Sequence, residues 1–172
     1  MQYVNQFFID MSYSIEQQLS NDFDILLWDG IKLIHIATAG GILPPKLSET
    51  ENDFKQQIRE VYRYRRVFSI IQNTNLERGN ITDLKNYLTF FSYMSIRGFY
   101  SYDKVNIDDV EDQTYQLISR PNYNRNVHIV KFSNEIQPLE RLRYPLNTRI
   151  NLIQTNREFP GDFNEFNLID FI

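Results

Sequence analysis

The fold is decided by the stretch "DFDILLWDGIKLIHIAT", residues 22–38, which places a turn signal between two apolar segments. The turn signal is Asp29-Gly30, and a DG pair between apolar runs is the strongest short-range indication of a β-hairpin. We expect strands over 23–28 and 31–38, joined by a type I′ turn that requires two residues at positive φ. The prolines in the following "AGGILPP" end the second strand, because proline has no amide hydrogen to donate to a ladder.

Helical patterns flank this hairpin on both sides. Apolar residues recur at helical spacing over 2–20, which predicts an amphipathic helix before the first strand. After the hairpin, Ser48 and Glu51 match the S-x-x-E capping box and predict a helix over 49–68. A third helix is expected to start near Asp83 and to stop at Gly98, because glycine commonly follows a helix end.

The second half of the chain is typical of β-structure. Its apolar and aromatic segments are short, and breaks that contain Asn, Pro and Asp separate them. They are 98–105, 114–120, 126–132 and 148–155. This order of elements favours an α+β fold, with about three helices packed on a mainly antiparallel sheet. We expect one globular domain over 1–157 and a C-terminal docking tail over 158–172.

Composition limits the class of protein. Of 172 residues, 42% are hydrophobic and 15% are aromatic, which indicates a folded core rather than a disordered chain. There is no cysteine, so disulfides and thiolate metal sites are excluded within this sequence. No apolar run approaches the roughly 18 residues of a membrane-spanning helix, so we expect no membrane contact and an intracellular location, either cytoplasmic or virion-associated. Abundant Phe, Tyr, Ile and Asn, which have AT-rich codons, favour a low-GC bacterium or phage as the source.

The charge of the chain is uneven. The formal net charge of −4 comes entirely from the tail, which carries Glu158, Asp162, Glu165 and Asp170 and no basic residue. Residues 1–157 are therefore neutral overall, and a neutral body gives little general attraction for a polyanion.

The two histidines, His35 and His128, are the first candidates for chemistry. Each lies in a predicted strand, and two strand-borne histidines facing one cleft could act as acid and base in a hydrolase or phosphoesterase. In histidine-pair phosphoesterases, a hydroxyl residue follows each His at two positions and shares its face of the strand. Ala37 and Val130 occupy those positions here. A Ser–His–Asp arrangement stays open, because such triads are recognised by geometry rather than by spacing.

No spacing in the sequence matches a metal site or a nucleotide-binding glycine motif, so we expect no cofactor and no metal. The small residues in "ATAGG" nevertheless need an explanation, because Ala37 and Ala39 are the only alanines of the chain. One interpretation is close packing at a tight turn. The other is a backbone nest in which amides after Thr38, at Gly40 and Gly41, bind an anion.

The most basic segment, "REVYRYRRVF", covers residues 59–68. On a helix, Arg59, Arg63 and Arg66 would lie at i, i+4 and i+7 and form one ridge beside Tyr62. Such a ridge could contact phosphates or a protein partner. It could equally be a solvated face whose charges are answered by Glu60 and other nearby carboxylates.

The tail, "EFPGDFNEFNLIDFI", interleaves acidic and large apolar residues. Asp162 could cap a short helix on which Phe163, Phe166 and Ile169 share one face. So many apolar side chains are expected to be buried, either on their own domain or in a groove of another chain.

These patterns favour a non-enzymatic interaction or structural protein that docks into a larger assembly, as an accessory or virion component does. Its partner would be another protein or a second copy of the chain. Two alternatives remain: a hydrolase that uses His35 and His128, and a nucleic-acid binder that uses the ridge of Arg59, Arg63 and Arg66.

Overall fold

The computed structural model describes residues 13–50, 53–63, 66, 68–74, 76, 82–122 and 152–172. It is an α+β fold, as predicted, with a mixed seven-stranded sheet. The α-helices are α1 (Ile15–Ser20), α2 (Pro45–Ser48), α3 (Phe54–Val61) and α4 (Leu84–Ser95). The strands are β1 (Asp24–Trp28), β2 (Leu33–Ala37), β3 (Ile70–Gln72), β4 (Phe99–Lys104), β5 (Thr114–Pro121), β6 (Ile153–Gln154) and β7 (Glu165–Asn167), and a 3₁₀-helix (Leu168–Asp170) follows β7. Among the helices so described, none combines the length and apolarity needed to cross a membrane.

The sheet has the strand order β3-β5-β4-β2-β1-β6, and β7 pairs with β5 outside this path. The pairs β2–β4 and β1–β6 are parallel, whereas the other four described pairs are antiparallel. Parallel neighbours need a long crossover, and between β2 and β4 the chain forms α2, α3, β3 and α4.

The predicted hairpin is confirmed, and its turn differs from the expected type. β1 and β2 pair antiparallel from Asp24↔Ala37 to Trp28↔Leu33. Gly30 has φ 95°, but Asp29 does not have a positive φ, so the turn is not type I′. The reason is the Asp29 side chain, whose Oδ1 accepts hydrogen bonds from the amides of Ile31 at 2.8 Å and Lys32 at 2.6 Å. This local carboxylate cap stabilises a longer loop.

The predicted capping box at Ser48 and Glu51 is wrong. Pro45 opens the one-turn helix α2, because proline fits the first position of a helix. Ser48 therefore ends α2, and its hydroxyl donates to the Pro45 carbonyl at 3.2 Å instead of capping a new helix. The next helix, α3, starts after Asp53, whose carboxylate accepts from the Gln56 amide at 2.9 Å.

The other predicted helices are present, with bounds that differ from the predicted ones. The described part of the first predicted helix is α1, and residues 1–12 lie outside the described residues. The helix predicted over 49–68 is shortened to α3, which ends at Val61. The third helix is confirmed as α4, capped by the Asp83 carboxylate on the Asn86 amide at 3.1 Å. Gly98, at φ 103°, follows its end.

Of the four predicted β-segments, two are confirmed as β4 and β5, and 148–155 contains the short strand β6. The segment 126–132, which includes His128, lies outside the described residues.

Successive side chains of a strand point to opposite faces of the sheet, and both faces of this sheet carry buried side chains. Helices α3 and α4 cover one face, where Ile58, Val61 and Met94 pack on Leu26 and Phe99. The opposite face holds the larger core. Its central residues are Ile25, Leu27, Ile34, Ile36, Tyr102, Tyr115 and Leu117, joined by Phe159 and Leu168 from the C-terminal tail.

Candidate functional site

His35 lies at the centre of β2 and is fully buried. Its Nδ1 is 2.5 Å from Ser101 Oγ on β4, and its Nε2 is 2.9 Å from Asp24 Oδ1 on β1. An ionised carboxylate can only accept, so Nε2 carries a proton towards Asp24, and in the neutral imidazole Nδ1 then accepts from the Ser101 hydroxyl. The three side chains thus form a continuous Ser–His–Asp chain across three neighbouring strands.

This hydrogen-bonded Ser–His–Asp series does not have the access to substrate that catalysis requires. In the catalytic triad, the serine bonds to Nε2 and the aspartate to Nδ1, whereas the ring of His35 is turned the other way. Ser101 is completely buried, and the rings of Phe90 and Phe91 cover His35 at centroid distances of 5.5 and 6.2 Å. Only the Asp24 side chain reaches solvent, with 26% of its surface exposed. In this state the network satisfies buried polar groups rather than presenting a nucleophile.

The histidine pair itself is not tested, because His128 lies outside the described residues. What surrounds His35 instead is a group of carboxylates at the C-terminal ends of β2 and β4. Asp103 accepts a hydrogen bond from the Tyr87 hydroxyl of α4. Burial, together with the charges of Asp24 and Asp103, raises the pKa of the Asp22 carboxyl. Despite this acidity, no group of three ligands suited to a metal ion occurs among the described residues.

The loop after β2 had two interpretations, a closely packed turn or an anion nest, and one of its amides already binds a carboxylate of the same chain. The Ala39 amide donates to Asp22 Oδ1 at 2.8 Å. The Gly41 amide donates to the Thr38 carbonyl at 3.1 Å, and the Thr38 hydroxyl accepts from the Phe23 amide at 2.9 Å. Ala39 and Gly40 adopt positive φ values of 51° and 71°, which produce the tight turn.

Lys104 explains why this loop needs a glycine, and sequence reasoning missed it. Its side chain is fully buried against Gly41, and its Nζ has no hydrogen-bond partner among the described residues. Burial lowers the pKa of Lys104, although Asp112 and Asp109 act in the opposite direction. A signal existed: in "FYSYDK", Lys104 shares the strand face of the buried Tyr100 and Tyr102.

The arginine ridge was predicted on one helix, but α3 ends at Val61, before two of its three members. Arg59 is helical and exposed, whereas Arg63 follows the helix end and pairs with Glu60 at 2.6 Å. Arg66 contacts α4, where its Nη2 donates to the Tyr93 hydroxyl at 3.2 Å. The three arginines therefore do not lie at the predicted spacing along one helix.

Arg66 instead joins a second arginine, Arg97, on the ring of Tyr93. The guanidinium carbons of Arg66 and Arg97 lie 4.7 and 3.7 Å from the centroid of that ring. The hydrogen bond from Arg66 is the main cause that lowers the pKa of Tyr93. Tyr62, a predicted binding residue, contacts Tyr93 edge-on at 5.1 Å. Sequence patterns could place Arg97 one turn after Tyr93, but could not bring Arg66 to the same ring.

Two cavities adjoin along α4, and Thr89 and Tyr93 line both. The first, of about 500 Å³, is lined by Tyr62 near the end of α3 and by Asn86, Thr89, Phe90 and Tyr93 of α4. The second, of about 630 Å³, lies between α4 and β3. Its lining includes Ile70, Gln72, Leu84, Leu88, Ser92 and Ile96.

Strand β3 borders the second cavity and forms one end of the sheet. Within the described ranges it pairs with β5 alone. The Asn73 amide donates to the Ile118 carbonyl at 2.8 Å, and the Asn122 amide donates to the Ser69 carbonyl at 2.7 Å. Because alternate residues of an antiparallel strand bond to the same neighbour, the amides of Ile70 and Gln72 point away from β5. In the described part of the chain, these two residues therefore form an open edge.

The tail residues do not form the predicted helix. Phe166 lies in β7, opposite Tyr115 of β5, and its ring contacts Tyr102 at 5.3 Å and Phe159 at 5.5 Å. Phe163 is half-buried, whereas Ile169 is 59% exposed. The three positions are separated because only Phe166 lies in β7, whereas Phe163 precedes the strand and Ile169 lies in the 3₁₀-helix that follows it. The aromatic part of the tail thus packs on its own chain.

No protein-family model, curated protein or solved structure matches this chain.

Proposed function

We propose that this protein is a non-enzymatic interaction protein whose docking surface is the open edge of β3 together with the apolar groove along α4. The observation that carries the proposal is the coincidence of a groove of about 630 Å³ with a strand edge that has no partner strand among the described residues. The partner is an extended segment of another protein, with apolar side chains at alternate positions. A component of a larger assembly would be held in place by such a contact.

The strand edge supplies the main-chain half of this recognition. Unpaired amide and carbonyl groups of an edge strand are a template for one more strand. Ile70 and Gln72 offer such groups, and β3 has only three residues. So short an edge gives few hydrogen bonds, and most of the affinity would come from side chains that enter the groove.

The groove supplies the side-chain half. Its walls are apolar at Ile70, Leu84, Leu88 and Ile96, and a hydrogen bond of 2.6 Å from Gln72 to Ser92 joins β3 to α4. In a bound strand, every second side chain points to the same side. Alternating apolar residues would therefore lie along the groove while the intervening residues face solvent, as in β-strand addition between helix and sheet edge.

The other predicted functions have less support. The tail was predicted as a docking element, but its aromatic side chains pack in the core of the same chain. Ile169 is its exposed large apolar residue. The hydrolase alternative depends on His128, and the Ser101 hydroxyl beside His35 is inaccessible. The nucleic-acid alternative loses the ridge on which it was based.

The proposal is tested by selecting binders from a library of displayed random peptides. We expect the selected peptides to share apolar residues at alternate positions. Ser92→Phe fills the groove and should weaken their binding by at least about 10-fold, which corresponds to 1.4 kcal/mol. Ser20→Phe, the same change at an exposed position of α1, should leave binding unchanged.

Ile70→Pro provides a second, independent variant. It removes one outward amide, and proline at an edge position whose amide faces solvent is compatible with the strand. Far-UV circular dichroism checks that each variant is folded. The proposal is wrong if no peptide is enriched, or if peptides bind the Ser92→Phe and Ser20→Phe variants equally well.

A further inference from the structure

We propose that the cavity between α3 and α4 binds a nucleotide unit, with the base against Tyr62 and Phe90 and the phosphate on Arg66 and Arg97. The cavity adjoins the groove of the proposed docking surface, and Thr89 and Tyr93 line both. We infer a second site there, with a ligand of a different class. Two features carry the inference: an aromatic cavity, and a pair of arginines beside it that have no carboxylate partner among the described residues.

The two arginines have no negatively charged partner in the described part of the chain, which favours binding of an anion beside them. Arg97 is only 6% exposed, and its Nε has no hydrogen-bond partner among the described residues. Its Nη1 donates to the Tyr93 carbonyl at 2.6 Å, which is a neutral acceptor. In the described part of the chain, neither Arg97 nor Arg66 has a carboxylate within 4.0 Å.

A buried cation is normally paired, because removing a charge from water without a counter-charge costs several kcal/mol. Here a second cation, Arg66, approaches the same tyrosine ring. The two like charges repel each other, and an anion bound next to them would reverse that repulsion. Phosphate fits this chemistry, since guanidinium groups bind its oxygens through charge-assisted hydrogen bonds.

The cavity supplies a place for the rest of the ligand. Its volume of about 500 Å³ falls within the range of small-molecule sites. Three of its five lining residues are aromatic, and Tyr62 is 41% exposed. A nucleobase is planar and stacks on such rings.

Asn86 adds a polar group to this aromatic cavity. Its Nδ2 donates to Asp83 Oδ2 at 2.6 Å, which fixes the orientation of the amide. A fixed amide can exchange hydrogen bonds with a base edge. A planar ligand with a polar edge therefore suits the cavity better than a purely apolar one.

The positions of the guanidinium groups set the direction of the bound nucleotide. Both lie on the ring of Tyr93, at 4.7 and 3.7 Å from its centroid, whereas the cavity also presents the rings of Tyr62 and Phe90. The phosphate is therefore expected at Tyr93, and the uncharged base at Tyr62 and Phe90.

The nucleotide unit can come from a free mononucleotide or from a single-stranded nucleic acid. The probes are therefore AMP, UMP, inorganic phosphate and ten-residue oligo(dA) and oligo(dT), each titrated by calorimetry at several salt concentrations. A mononucleotide held by one phosphate gives a shallow dependence of log Kd on log salt, and an oligonucleotide held through several phosphates gives a steeper one. Either result supports the site and identifies its source.

Matched arginine variants test the location. Arg66→Met should weaken nucleotide binding by about 10-fold or more, because it removes a charge-assisted contact. Arg63→Met, a neighbouring exposed arginine paired with Glu60, should change it by less than about twofold. Tyr62→Leu should weaken AMP binding but not the binding of inorganic phosphate.

Three results would overturn the inference: no binding of any nucleotide, equal effects of Arg66→Met and Arg63→Met, or inorganic phosphate binding as tightly as AMP. Arg66 and Tyr62 are both exposed, so their variants should fold, and a thermal melt of each verifies this.

Discussion

At Gly41, the loop after β2 passes so close to β4 that an added Cβ would contact the Lys104 ammonium. The same Cβ would lie 3.2 Å from the Val110 carbonyl oxygen and 3.3 Å from that of Thr38. We predict that Gly41→Ala lowers the free energy of unfolding by about 1–3 kcal/mol, because an overpacked interior must shift its neighbours. Urea denaturation measures the change.

Gly161→Ala is the matched control. A Cβ at Gly161 would meet nothing closer than 3.8 Å, so we expect a change within about 0.5 kcal/mol. Equal stabilities of the Gly41→Ala and Gly161→Ala variants would contradict the packing role of Gly41.

Asp22 gives a prediction about pH. Burial first, and then the charges of Asp24 and Asp103, raise its pKa above the ordinary value of 3.8. A carboxyl whose pKa rises on folding stabilises the fold while it is protonated, and this contribution is lost as the pH rises through the raised pKa. Asp22→Asn keeps an oxygen for the Ala39 amide and removes the ionisation. Its stability relative to the parent protein should therefore increase between about pH 3 and pH 7.

Thermal melts of both proteins across this pH range provide the measurement. Asp108→Asn, which makes the same change at an exposed position, serves as the control. A difference between Asp22→Asn and the parent that does not change with pH would show that the repulsion at Asp22 is absent.

At the scale of elements, β7 explains why two tail residues predicted to be equivalent should behave differently. The Phe166 ring packs among Tyr102, Phe159 and Phe171, whereas Ile169 is mostly exposed. We predict that Phe166→Ala costs about 2–4 kcal/mol, somewhat below the value for a fully buried phenylalanine. Ile169→Ala should cost less than about 0.5 kcal/mol. Similar losses in a denaturant titration would instead support the single helical face expected from sequence.

Elements that depend on interactions between residues close in sequence could be predicted, whereas elements that depend on distant residues could not. The hairpin and α4 were predictable, because Asp29-Gly30 and Asp83 act on residues next to them. The start of α3 was not, because a proline-initiated turn at Pro45 competed with the Ser48 capping box. The strand character of the tail was also missed, because it depends on pairing between Phe166 and the distant Tyr115.

The candidate sites depend even more on contacts between residues that are distant in sequence. Tyr93 and Arg97 lie one turn apart at the end of α4, whereas Arg66 lies in the segment between α3 and β3, and no local spacing brings it to the other two. The chain His35–Ser101–Asp24 likewise requires the order of three strands. Sequence could single out His35 as an unusual strand residue, but only the register of β2 against β4 places Ser101 beside it.

At the scale of the whole molecule, the C-terminal tail and the first hairpin complete one core. The side chain of Asp29 has no solvent exposure, and its Oδ2 accepts from the Phe159 amide at 2.9 Å. Lys32 donates to the Phe159 carbonyl at 2.9 Å and pairs with Glu158. The tail also adds two fully buried side chains, Phe159 and Leu168, to the larger core.

Truncation after Arg157 is therefore predicted to remove part of the fold rather than a free docking arm. It would expose the core beneath Phe159 and Leu168 and leave the Asp29 carboxylate buried without its partner amide. Each fully buried large apolar side chain contributes roughly 1.5–3 kcal/mol, and a single domain has only about 5–15 kcal/mol of net stability. We expect the shortened chain to lose its cooperative thermal transition.

Circular dichroism melts of the full and shortened chains measure this loss, and a synthetic peptide of residues 158–172 provides the control. Added in excess, the peptide should restore the transition, because a ligand that binds only the folded state stabilises it by mass action. The same peptide with Phe166 replaced by Ala should restore it less well, whereas replacement of Ile169 by Ala should have little effect. A shortened chain that melts cooperatively at the temperature of the full protein would contradict this account. The tail would then again be a candidate for docking to a partner.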